Sequence, residues 1–191
     1  MKPLLFTLGL SLSLLMGGCA VSPQSIVLSP QATLSGPAYG QGRALIINVE
    51  DRRSSSVLGS RGGIYEASSV ITISNSITNA LLVAAQSAAT QLGFDGSSSS
   101  APAQLTLILE ELSYDTQSNN LIHTINITAK ITLTTTVGGS SHTGHYQTER
   151  SHKFPRLPDT QKNQEIISEV LTTSLERGFS DISLANFLAQ N

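Results

Sequence analysis

Cysteine is the scarcest reactive residue in this 191-residue chain: Cys19 stands alone, tryptophan is absent, and aromatic side chains make up only 5%. A single cysteine excludes an intramolecular disulfide framework, and an unpaired thiol in an oxidising compartment is a liability unless something consumes it. Charge is scarce as well. Charged residues are 13% of the chain, and 11 Lys plus Arg nearly balance 13 Asp plus Glu, leaving a formal net charge of -2. That balance argues against nucleic acid as a partner and against a membrane surface bound by charge alone. Also lacking is an apolar run of the roughly 20 residues that a transmembrane helix needs; the run at residues 4–16 is too short. Serine and threonine are abundant instead, which predicts a neutral, hydroxyl-rich surface.

The first residues have an order of their own. Lys2 gives a short positive start, residues 4–16 are apolar or small, and Gly17-Gly18-Cys19 closes the segment. A secretory signal is built this way and is removed from the mature protein. Leu15-Met16-Gly17-Gly18-Cys19 resembles the lipobox of bacterial lipoproteins, with Met16 where leucine is usual. The resemblance implies cleavage between Gly18 and Cys19, with diacylglycerol and an N-acyl chain on Cys19 and no other cofactor. Each buried methylene contributes about 0.8 kcal/mol, so several chains anchor stably where one does so only marginally. Ala20, rather than aspartate, follows the cysteine, which by analogy with bacterial sorting implies the outer membrane. Outer-membrane lipid would then hold Cys19, with the domain facing the periplasm.

These signals divide the chain into a leader (1–18), a lipidated cysteine with its tether (19–42) and one domain (43–191). The tether reading rests on Pro23, Pro30 and Pro37, which bar a continuous helix, in a stretch rich in Ser, Gly, Gln and Ala. A flexible segment of that length spans about 25 Å. Within it, Ile26-Val27-Leu28 has the makings of a short edge strand ended by Pro30.

Hydrophobic spacing predicts the rest. Residues 43–49 read as a buried strand. Residues 74–92 read as a helix, with Ile77, Leu81, Ala84, Ala85, Ala88 and Leu92 on one face and Gly93 at its C-cap. Residues 104–114 form a second strand, with Leu105, Leu107 and Leu109 on one side and Ile108 and Leu112 on the other. Residues 121–137 alternate strictly, with threonine filling many of the outward places, and Gly138-Gly139 returns the chain into a partner strand over 141–152. Asp159 caps a second helix reaching residue 177, with Ile166, Ile167, Val170, Leu171 and Leu175 as its stripe and Gly178 at its end. A last short helix over 180–189 turns Ile182, Ala185 and Leu188 inward. The expected architecture is α+β: a two-layer sandwich of order β-α-β-β-β-α, with about four mostly antiparallel strands and two main helices on one face.

Directly after the first strand come Asp51-Arg52-Arg53 and Leu58-Gly59-Ser60-Arg61-Gly62-Gly63. They resemble the Asp-x-Arg then Gly-x-Arg pattern of the YajG family of outer-membrane lipoproteins, and the order of elements agrees over the whole mature chain. The resemblance implies a lipoprotein of unassigned activity and supplies no catalytic residue. The doubled arginine departs from the pattern and leaves open which of the two is structural.

Arg53 and Arg61 have the fork that grips carboxylate or phosphate, so Asp51, Arg53, Gly59 and Arg61 are the candidate ligand-binding or loop-structuring residues. The structural reading is favoured, with Asp51, Glu50 or Glu66 as partners. Gly59, Gly62 and Gly63 are small enough for a phosphate cradle, but no helix follows them to supply free N–H groups. His142, His145 and His152 do not share a strand face, so no metal site is expected; His123 reads as a core or edge histidine. No Gly-x-Ser-x-Gly elbow is present, and the protein is not expected to be an enzyme. The leading expectation is a non-catalytic binding or accessory module for envelope assembly or maintenance, with residues 121–137 as an edge for strand addition by an envelope protein. A small-molecule or lipid carrier is the alternative, a hydrolase is third, and a homo-oligomer stays open.

Overall fold

A computed structural model describes residues 21–63, 66–119 and 121–191; Gly18 and Cys19 lie outside the described residues. In chain order the elements are β1 (Gln24–Ile26), β2 (Leu45–Asp51), β3 (Val57–Ser60), a 3-10 turn (Glu66–Ser68), β4 (Val70–Ile73) and α1 (Ile77–Gln91). Then follow β5 (Ala103–Asn119), β6 (Ile122–Val137), β7 (Ser140–Phe154), α2 (Thr160–Phe179) and α3 (Ile182–Gln190).

Alternation in the sequence builds the centre. β5, β6 and β7 pair antiparallel in succession, and Val137 pairs with Ser140 across Gly138 and Gly139. Both glycines have positive φ, 57° and 90°, as a two-residue hairpin turn requires. Ile125, Ile127, Ala129, Ile131 and Leu133 of β6 are buried; between them Asn126, Thr128 and Lys130 are half-buried, whereas Thr132, expected to face outward, is buried. In β5 the apolar phase runs Leu105, Leu107, Leu109 and then skips to Leu112 and Tyr114. A register shift between Leu109 and Glu111 inserts one extra residue, so Leu112 joins the face that simple alternation denies it. Ile108 is buried too, from the opposite phase.

Among the described residues the sheet has seven strands rather than about four, because three segments join it that periodicity did not reveal in full. Along one side of β5, β2 pairs parallel over Ala103 to Leu109, and β3 meets it parallel at Tyr114. β4 pairs antiparallel with β3, and β1 parallel with β4 at the far edge. The mixed α+β class stands. α1 packs on β2, and α2 on β6 and β7, through the stripes read from sequence.

Residues 24–34, expected as tether, are built into the fold. β1 is followed by an extended strap that lies along α2. The N–H groups of Val27, Ser29, Gln31 and Thr33 donate in turn to Gln164 Oε1 (3.0 Å), Ser168 Oγ (3.3 Å), Thr172 Oγ1 (3.0 Å) and Glu176 Oε1 (2.9 Å). Every second residue of an extended chain advances roughly 6.6 Å and every fourth residue of a helix roughly 6 Å, so the two ladders stay in step. Asn75 holds the other side, accepting from Leu28 N (2.9 Å) and donating to Leu28 O (2.8 Å). Gln91 likewise accepts from Leu34 N (2.9 Å) and donates to Ala32 O (2.9 Å). Ile26, Leu28 and Ala32 are buried between them.

Helix ends differ in detail. Ser76 rather than Ser74 starts α1, its side chain accepting from Asn79 N at 3.2 Å. Asp159 caps α2 as expected, accepting from Lys162 N at 2.8 Å. Gly178 does not end α2; it lies inside the last turn, where a Cβ would come within 2.6 Å of Leu133 Cδ1. α3 buries Leu184 and Leu188; of the three residues expected inward, Leu188 is buried, Ala185 is half-buried and Ile182 is 73% exposed, its place on the inner face taken by Leu184.

Candidate functional site

β2 ends on Asp51, and the chain turns back so that Arg53 grips it with both prongs. Arg53 Nε donates to Asp51 Oδ1 (2.9 Å), Arg53 Nη2 to Oδ2 (2.8 Å), and the Arg53 backbone N–H to Oδ1 (3.2 Å). The hydrogen bond from the Arg53 side chain holds the Asp51 carboxyl below its ordinary pKa, against a partial desolvation that raises it. Arg53 is thus the structural arginine of the pair. Arg52 stays exposed and bridges Glu50 at 2.6 Å. One Arg53 nitrogen, Nη1, is buried with no partner among the described residues, and Arg53 lines a cavity of about 270 Å³ together with Ser55, Glu110 and Glu111. Two carboxylates there disfavour an anion.

Arg61 points elsewhere. Its Nη1 donates to Ser22 O at 2.8 Å and its Nη2 to Pro158 O at 3.1 Å, so it ties the start of the described chain to the loop before α2. With its amide turned to meet the donors around it, Gln24 accepts from Thr160 N (3.2 Å), Arg61 Nε (3.2 Å) and Arg61 Nη2 (3.3 Å). Beyond it the Gln24 and Asn163 amides meet at 2.7 Å, and Asn163 shares a 3.1 Å bond with Tyr114 Oη. Burial pushes the Tyr114 phenol above its ordinary pKa, so it stays neutral at neutral pH. The partners of Arg61 are therefore carbonyls and an amide, not the acids expected for it.

Gly59 serves packing. A Cβ there would sit 1.7 Å from Tyr114 O, so only glycine lets β3 meet β5. Ser69, nearly fully buried, closes the following loop: its hydroxyl is 2.8 Å from Ser60 Oγ and donates to Gly62 O at 2.8 Å. The structure thus places Asp51 and Arg53 together at the end of β2, and Gly59 and Arg61 around β3 in a separate arrangement. Sequence reasoning missed Gln24, Ser69, Tyr114 and Asn163. Asn163 left a signal, a polar residue three places before Ile166 on the buried stripe of α2.

The histidines are dispersed. His142 stacks on Phe187 (centroids 5.8 Å), His145 Nδ1 meets Thr132 Oγ1 at 2.9 Å, and His152 stacks on Phe154 (6.1 Å). β6 is an inner strand flanked by β5 and β7, so the expected docking edge is not available on it; β7 is the edge. Arg177 and Arg150 side chains donate to the carbonyls of Gln147 and Glu149 on that edge. Among the described residues, no helix is long and apolar enough to cross a membrane.

This combination of parallel and antiparallel pairing under two long helices has a counterpart among solved bacterial structures. The crystal structure of protein XCC0632 from Xanthomonas campestris is similar at 11% identity and a TM-score of 0.50, covering 86% of this chain and 96% of that one. A minor lipoprotein from Acinetobacter baumannii is similar at 12% identity and a TM-score of 0.42, over 78% of this chain and 92% of that one. The chain belongs to the family described as uncharacterized lipoprotein, whose model matches residues 30–189. No curated protein matches.

Proposed function

We propose that this lipoprotein is anchored in the outer membrane through Cys19, is akin to the YajG lipoproteins, and serves as a non-catalytic binding or accessory module in the envelope. The observation that carries the reading is the position of Cys19: in a chain of a lipoprotein family, its only cysteine closes an apolar leader behind Gly17-Gly18. The two arginines with ligand-gripping forks support a module without catalysis, since Arg53 spends its fork on Asp51 and Arg61 on carbonyls. The carrier reading is weaker, because Leu81, Leu107, Ile131, Val170 and Leu171 fill the space between helices and sheet that a ligand would need.

Metabolic labelling with an alkyne fatty acid is expected to mark the protein and to fail with Cys19→Ala. Crosslinking in native envelopes followed by mass spectrometry is expected to return a reproducible neighbour. Recovery of none would count against the accessory role, and acylation that survives Cys19→Ala would refute the anchor.

A further inference from the structure

We propose that the tip of the β5–β6 hairpin, Leu121 with Ile122, docks into the surface of the bilayer that holds Cys19, so that the domain sits on its membrane in one orientation. The proposal rests on the lipid anchor argued above.

The leash is short. Arg61 holds the carbonyl of Ser22, and β1 begins at Gln24. Cys19 precedes Val21 by two residues, and two residues reach about 7 Å when fully extended. The acyl chains therefore lie close beneath Val21, not at the end of a long tether.

That end of the molecule is also where the hairpin ends. A Cβ on Gly63 would lie 3.5 Å from Val21 Cγ2, and one on Gly62 would lie 3.3 Å from Thr116 Cγ2 and 3.9 Å from Ser118 Oγ. Thr116 and Ser118 are near the end of β5, and Asn119 pairs with Ile122 to close the hairpin. Leu121 is 82% exposed and Ile122 49% exposed, an apolar pair that water does not favour. Beside it run the last residues of β7, where Lys153 pairs with Thr124, and exposed Arg156 follows. Cations flanking an apolar tip suit lipid phosphates over acyl chains. Asp115 on the same end is occupied, accepting from Gln117 (3.1 Å) and Asn126 (3.3 Å). The other end of β6 turns through Gly138 and Gly139, with no large apolar side chain in the turn.

The test uses the full-length lipidated protein carrying Leu121→Cys. Acylation consumes the Cys19 thiol, leaving one thiol for a bimane label. After intact mass has established the acyl chains, the protein is reconstituted into phosphatidylethanolamine–phosphatidylglycerol vesicles. The expected result is a blue shift of bimane emission and quenching by nitroxide-labelled lipid, neither of which occurs with the label on Ser140→Cys at the opposite end. An acylated protein whose Leu121 label behaves like the Ser140 label would overturn the docking and leave the anchor standing. A mass without acyl chains would overturn both. A label wet in vesicles but shielded in native envelopes would also overturn the proposal, and would assign the tip to a protein partner.

Discussion

Leu28→Ala decides whether the segment behind the anchor is a leash or part of the core. Leu28 is 1% exposed, its backbone is clasped on both sides by Asn75, and Ile26 and Ala32 are buried on either side of it. Truncation removes buried methyl and methylene groups and leaves a cavity, which together cost about 2–5 kcal/mol for a leucine in a packed core. In a domain of this length each kcal/mol shifts Tm by roughly 2–4 °C, so a fall of about 4–20 °C is expected. Val27, next in sequence and 51% exposed, is the control: Val27→Ala should stay within about 0.5 kcal/mol. Thermal and urea denaturation of the chain from Val21 onward, followed by circular dichroism, reads both. The midpoint should fall for Leu28→Ala with an unchanged m-value. If both substitutions are neutral, residues 24–34 are a tether and the strap is not held in solution.

Asn163→Ala should remove the Asn163 partner of the Tyr114 hydroxyl and of the Gln24 amide nitrogen, at about 1–3 kcal/mol for each buried group left unpaired. A double-mutant cycle with Tyr114→Phe should recover part of that loss in urea midpoints. Gly59→Ala forces a Cβ against the Tyr114 carbonyl at 1.7 Å, and overpacking against backbone should cost about 3 kcal/mol, with faster amide exchange along β3. Asp51 gives a pH dependence. Its carboxyl is held below the ordinary value by the Arg53 hydrogen bond, so the pair stabilises above that ordinary value and the contribution is lost as pH falls through the lowered one. The stability gap between the native chain and Asp51→Asn should therefore close on acidification, as measured by urea midpoints taken from neutral pH downward.

Long, strictly patterned elements were legible because one physical rule governs each. Alternation marked β6, and the stripe with Asp159 marked α2. β3 and β4 have only four residues each, too few for a period to emerge, and β3 carries Gly59 for a contact that lies far along the chain at Tyr114. The phase change in β5 comes from the bulge near Glu110, which no composition signal announces. In the strap only the short edge strand was legible, and β1 stands two residues earlier than expected. The strap's Ser and Pro content is that of a linker, yet its order comes from polar side chains four residues apart on α2, as far as 143 positions away. At the site, Asp51 and Arg53 were legible as a pair of types, but the choice between Arg52 and Arg53 is made by the turn after β2. The network around Arg61 was hidden because most of its partners are backbone carbonyls, which any residue supplies.

Arg61 links the anchor-proximal chain to the body of the domain, and Arg61→Lys separates that role from general stability. The guanidinium reaches two carbonyls on separate segments, Ser22 and Pro158, while also facing Gln24. A lysine ammonium keeps the charge but is a compact donor on a flexible stem and lacks the planar fork that spans both carbonyls. Only the first residues of the described chain depend on the bond to Ser22, whereas Ile26 and Leu28 have burial and the Asn75 clasp to hold them. Amide exchange near Gln24 should therefore quicken by roughly tenfold, the equivalent of about 1.4 kcal/mol, while exchange in β6 stays unchanged and Tm moves by only a few degrees. Equal acceleration throughout the sheet would refute a local clamp. No acceleration at all would mean that Gln24 and its amide network hold β1 without the arginine.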